Sequence, residues 1–112
     1  MKQLFDIATK ADEYDWQTFR PGIEIVRLYG GSDAGPSAAL LRYQAGAQLP
    51  RHSHTGYEHI FVLHGSQKDE RGEYRAGDCV ISAPGSSHSV SSSEGCIVLA
   101  IWASPVQFVE AT

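Results

Sequence analysis

The chain has 112 residues, the length of one domain, and its 13 acidic and 9 basic side chains leave a formal charge of -4. Its Lys and Arg are scattered from Lys2 to Arg75 without a cluster or stripe, so a nucleic-acid partner is not expected. No apolar run nears the length of a bilayer span, which argues against a membrane partner too.

The opening Met1-Lys2-Gln3-Leu4-Phe5-Asp6 meets an acid before a signal-like apolar stretch forms, so a cytoplasmic protein is expected. Leu4, Ile7 and Ala8 have helical spacing in a short, uncapped segment. Residues 1–15 read as an N-terminal extension and 16–112 as the domain proper. Ile23 to Tyr29, rich in β-branched and aromatic residues, is the first expected strand, and Gly30 to Pro36 a loop. Ala38 to Tyr43 and His59 to His64 follow, closed by Gly46 and Gly65. Asp69-Glu70-Arg71-Gly72 is a turn between two polar strands, Ser66 to Lys68 and Glu73 to Arg75. Cys79 to Ser82, Ser87 to Ser91 and Cys96 to Ala103 complete the set, and Ser91-Ser92-Ser93 reads as a solvated hairpin loop. Regularly spaced short strands with turn signals imply an all-β sandwich or closed barrel. Cys79 and Cys96 lie beside β-branched residues and are expected to be buried free thiols, and no CxxC pair supports a thiolate zinc site.

The chemistry concentrates in the middle of the chain. His52 and His54 are two apart, so on a strand both imidazoles face the same way. Gly56 permits a turn, and a tight reversal brings the Glu58 carboxylate back beside them. Further on, Pro84-Gly85-Ser86-Ser87 delivers His88 to the start of a strand, which supplies a fourth ligand if that strand lies beside the first pair. Three neutral imidazoles and a carboxylate suit zinc, iron, manganese, nickel or cobalt, and match calcium poorly. By alternation His59 points away from Glu58. His64 shares the Glu58 face, but three steps further along the strand it lies too far away to ligate.

These residues resemble the two cupin motifs. The pattern G-x5-H-x-H-x3-E-x6-G is met by Gly46, His52, His54, Glu58 and Gly65. The second, G-x5-P-x-G-x2-H-x3-N, is met at Gly77, Gly85 and His88, with its Pro shifted from Ala83 to Pro84 and Ser92 in place of Asn. From about Trp16 to Trp102 the chain resembles the cupin domain of ChrR-type anti-sigma factors, notably at Leu40-Leu41-Arg42-Tyr43, at Gly65 to Gly72 and at Pro84 to His88. The resemblance implies a double-stranded β-helix, the jelly-roll barrel of RmlC-like cupins. It also implies zinc held by His52, His54, Glu58 and His88. About fifteen residues, without Cys or His, precede the cupin here, so the resemblance does not carry anti-sigma activity. Related stand-alone cupins include dioxygenases of small diketones and hydroxyketones.

The expectation is therefore a cupin with one divalent metal ion per chain, its activity open. One reading is a small-molecule dioxygenase or related metal-dependent enzyme; the other is a ligand- or oxidant-sensing module. Tyr57, Arg42, Tyr43 and Gln48 are candidates to support the ligands from behind, and Trp102 and Phe61 candidates to line a pocket or pack a core. Ile60 and Val62 alternate with Phe61 and Leu63, so both faces of that strand need cover, and a homodimer is expected.

Overall fold

Among the described residues the short stretches between glycines and prolines become ten antiparallel strands. In the computed structural model, which describes residues 1–31 and 33–108, they are β1 (Gln17–Arg20), β2 (Ile23–Tyr29), β3 (Ser37–Tyr43), β4 (Gln48–His54), β5 (Glu58–Asp69), β6 (Gly72–Arg75), β7 (Cys79–Ser82), β8 (Ser87–Ser91), β9 (Cys96–Trp102) and β10 (Val106–Phe108). They hydrogen-bond in the order β1-β2-β3-β9-β5-β8-β4-β10, with β6 and β7 also paired to β5. Strand alternation aims Ile25, Leu41, Val62, Val98 and Ala100 from one half and Leu49 and Val90 from the other into one interior cluster. This is the expected all-β jelly-roll barrel.

The opposite faces of β3, β5 and β9 carry Leu40, Leu63 and Ile97, and the N-terminal segment covers them. That segment winds through a 3-10 turn (Leu4–Asp6), one α-helical turn (Ile7–Lys10) and a second 3-10 turn (Ala11–Glu13). So short a helix is marginal alone in water. Burying Ile7 and Ala11 against the sheet stabilises it, as does the indole N–H of Trp16, which donates to the Ala11 carbonyl at 2.7 Å. One outer residue of β5, Leu63, is therefore covered by the chain itself, while Phe61 remains partly exposed.

Strand β5 departs from the sequence reading in a way that shapes the site. Val62 pairs with Val98 and His64 with Ile97, so Leu63 is an extra, bulged residue. The bulge resets the alternation: His64 stands opposite the outward Ile97, exposed, and does not share the face of Glu58. Gly65 follows at φ +76°, where a Cβ would lie 2.1 Å from the Gly95 carbonyl oxygen. Together these bend the strand without ending it. Ser66 to Lys68 is thus the continuation of β5, which leaves β7 and β9 and goes on to β6 and β8.

Other expectations also need correcting. β1 and β10 are two strands beyond those the sequence pattern predicts. Ser92 is not solvated: it is buried, and its hydroxyl donates to the Ser66 carbonyl at 2.6 Å, tying down the β8–β9 connection. Cys96 is a buried free thiol, pushed up to about 11 chiefly by burial, but Cys79 is exposed because it lies on the outer face of the edge strand β7.

Candidate metal centre

Three strands meet at one end of the barrel interior. β4 carries His52 and His54 on its inner face, two residues apart as alternation requires. β8 lies beside it with His88 directly opposite His52. Glu58 opens β5 after the Thr55–Tyr57 reversal. All four side chains are buried, and one ligand atom from each lies within 4.8 Å of the others. The Nε2 atoms of His52 and His88 are 2.9 Å apart, and Glu58 Oε1 lies 3.1 Å from His54 Nε2 and 3.5 Å from His88 Nε2. Ligands about 2.1 Å from one ion stand about 3.0–3.4 Å apart in octahedral or tetrahedral arrangements, so these spacings suit a single ion.

The back of each imidazole decides what its front can do. The Nδ1–H of His52 donates to the Pro50 carbonyl at 3.1 Å. The Ser86 hydroxyl gives its proton to the Ala83 carbonyl, so it accepts from His54 Nδ1–H, at 3.0 Å. Asp69 Oδ2 lies 2.9 Å from His88 Nδ1 and accepts its proton. With every Nδ1 a donor outward, each neutral imidazole turns an Nε2 lone pair inward. Three lone pairs and a carboxylate then face one another. A cation resolves that convergence; neutral side chains do not.

Burial works against charge on Glu58, but a proton on the facing Nε2 of His54 or His88 and the Trp102 indole N–H, which donates at 2.6 Å, outweigh it and hold the carboxyl well below the usual range. Burial also pulls His52 down. At His88 burial acts the same way but is outweighed by Glu58 and Asp69, so that imidazole lies above its ordinary value.

The supporting residues differ from those the sequence suggested. Arg42 points outward to Glu24 at 2.8 Å and stacks over Trp16. Tyr57 is exposed, and Gln48 lines an outer groove with Lys68 and Glu70. Tyr43 is interior, with Gln67 beside it. The groups that touch the four side chains are instead Pro50, Asp69, Ser86 and Trp102, with Phe108 of β10 packing its ring 5.4 Å from that of His52. Of these the sequence offered a hint only for Trp102; Asp69 lies within a stretch that reads as an ordinary polar turn.

A cavity of about 110 Å³ adjoins the cluster, lined by His54, His88, Ser82, Ser86, Ser87, Glu70 and Arg71. It lies on the side of Ser86, behind the His54 ring, and neither His52 nor Glu58 lines it.

The fold and the histidine–carboxylate cluster define a cupin, and the chain belongs to the ChrR cupin-like domain family, whose profile matches residues 5–105. The anti-sigma-E factor ChrR of Cereibacter sphaeroides is 31% identical over 104 residues, covering 91% of this chain and 48% of that protein. The chain thus spans about half the length of this relative. The ChrR–SigE complex of Rhodobacter sphaeroides superposes with a TM-score of 0.75 at 28% identity, over 86% of this chain and 53% of that one. An acetylacetone dioxygenase from Acinetobacter johnsonii shares the fold alone, with a TM-score of 0.77 at 17% identity over 85% and 72% of the two chains. Among the described residues no helix is long and apolar enough to cross a membrane.

Proposed function

We propose that His52, His54, Glu58 and His88 hold one divalent metal ion, zinc or iron first among the candidates, and that the domain acts on a small molecule at that ion. The observation that carries this reading is the outward anchoring of all three Nδ1–H groups, which leaves three Nε2 lone pairs and a carboxylate converging. Bound there, a divalent ion supplies a Lewis acid that polarises an oxygen-bearing ligand. The protein's own part is to fix the imidazoles from behind and to keep the Glu58 carboxylate aimed through Trp102. Four protein ligands on a six-coordinate ion leave two positions for an added ligand. Dioxygenase chemistry on a small oxygenated substrate is the sharper form of the proposal.

The test combines elemental analysis with cobalt substitution. One cobalt per chain and a five- or six-coordinate spectrum that shifts on adding azide support an open site. A tetrahedral spectrum indifferent to azide rejects it, and the enzyme with it. With an open site, oxygen uptake by the iron-loaded protein on a panel of small diketones tests the dioxygenase. Absence of turnover favours the second reading, a sensory module, which the kinship with ChrR supports. The expected homodimer would place a second copy over the outer apolar face at Phe61 and Ile81; sedimentation at micromolar concentration tests it, and a monomer there rejects it.

A further inference from the structure

Asp69 is a buried carboxylate in a turn that should face solvent, and its surroundings show why. The last two residues of β5 and the one after them stitch onto β8. Lys68 pairs with Ser91, Asp69 accepts from the His88 imidazole, and Glu70 accepts from the Ser89 backbone N–H at 2.8 Å. Arg71 then closes back on Asp69, its Nη2 at 2.8 Å and Nε at 3.2 Å from Oδ2. The same guanidinium donates to the Ser82 hydroxyl at 3.1 Å and the Ile81 carbonyl at 3.3 Å on β7. The Asp69 side chain is only 3% exposed, although Arg71 is 47% exposed.

The bend in β5 makes this possible. A straight twelve-residue strand would hold its ends roughly 36 Å apart at about 3.3 Å per residue. Here Glu58 and Asp69, its first and last residues, meet opposite nitrogens of one ring, Nε2 at 3.5 Å and Nδ1 at 2.9 Å. His88 is thus gripped front and back by two carboxylates of a single strand.

We propose that Asp69 is the positioning residue that makes His88 a metal ligand, and that Arg71 holds Asp69 in line from the β5–β6 turn. A carboxylate behind a ligating imidazole fixes its tautomer and orientation, and losing such a partner typically weakens metal binding by about 10–100-fold. The inference rests on the metal reading above and adds to it a residue that touches no metal.

The test measures zinc affinity of the full chain by chelator competition, the His88 Nδ1–H resonance by imidazole NMR, and the melting temperature after chelation. Asp69→Ala is expected to weaken zinc binding by about 10–100-fold and to remove the His88 Nδ1–H signal. Asp69→Asn keeps an acceptor oxygen and should recover part of the affinity; Arg71→Gln should cost less than Asp69→Ala and serves where that variant folds poorly. An Asp69→Ala protein that binds zinc within twofold of wild type, while His88→Ala does not, would overturn the inference alone. So would a lower melting temperature with the His88 Nδ1–H signal intact, which marks a purely structural carboxylate. A wild-type chain that takes up no zinc would overturn the metal reading, and this inference with it.

Discussion

The two halves of the barrel are built on different physics. β2, β3 and β9 form a wall of Ile25, Leu41, Val98 and Ala100 inside, with Leu40 and Ile97 covered outside by the N-terminal segment. Opposite them, β4 and β8 spend their inner positions on His52, His54 and His88, and Leu49 and Val90 are their main apolar contribution. The first wall is stabilised by removing apolar surface from water, whatever is bound. The second buries polar groups whose lone pairs converge, an arrangement that is costly until a cation is held there. Such a division lets one half act as scaffold and leaves the other conditional on the proposed ion.

Several measurements would break or sharpen this contrast. The largest effect belongs to the ligands: Glu58→Ala or His54→Ala should abolish tight metal binding, whereas His59→Ala and His64→Ala should leave stoichiometry unchanged. Metal content of the four purified variants decides this, and retained stoichiometry in Glu58→Ala would remove the four-ligand site. Next comes the scaffold wall. Leu40 is fully buried between the sheet and Ile7, so Leu40→Ala should cost about 2–5 kcal/mol. Denaturant unfolding should give the same loss with and without metal; a loss seen only with metal would mean that the halves are not independent.

The pH dependence is smaller and has a definite sign. A metal-bound imidazole must be neutral, so protons compete with the ion as pH falls. His88 lies above its ordinary value and His52 below it, so competition should begin at His88, at higher pH than an ordinary histidine would give. His52 should resist protonation to lower pH. Metal occupancy followed from pH 8 to pH 5 should fall with more than one proton taken up per ion, and constant affinity would count against three histidine ligands. The smallest effect is at Arg51, whose side chain points out of β4 to the Ser87 hydroxyl at 2.8 Å. Arg51→Ala should change stability by no more than about 0.5 kcal/mol and leave metal binding alone, which thermal melts and a zinc titration would check.

The four-residue cluster was legible because strand alternation and turn geometry write themselves into spacing. His52-x-His54 records one face of a strand, and glycines record the reversals that bring Glu58 and His88 to it. β2, β3, β8 and β9 were legible for the same reason. What could not be read depended on contacts distant in sequence. Strict alternation assigns His64 to the inner face, and only the pairing with β9 reveals that Leu63 is bulged. Asp69 becomes a partner of His88 only after that bend. β10 has three residues and exists because it pairs with β4, Phe108 against His52.

The long reach of these pairings bears on how the domain assembles. Glu58 pairs with Trp102 and His52 with Phe108, partners 44 and 56 positions apart (102 − 58 and 108 − 52). Topologies dominated by such non-local pairs fold slowly, over milliseconds to seconds, because loop-closure entropy must be overcome before the contacts form. During synthesis His52, His54 and Glu58 leave the ribosome well before Trp102 and Phe108 are available to pair with them. A nascent chain therefore carries the histidine motif for seconds as an unstructured chelator, at about 5–20 residues per second, before the barrel can close around it.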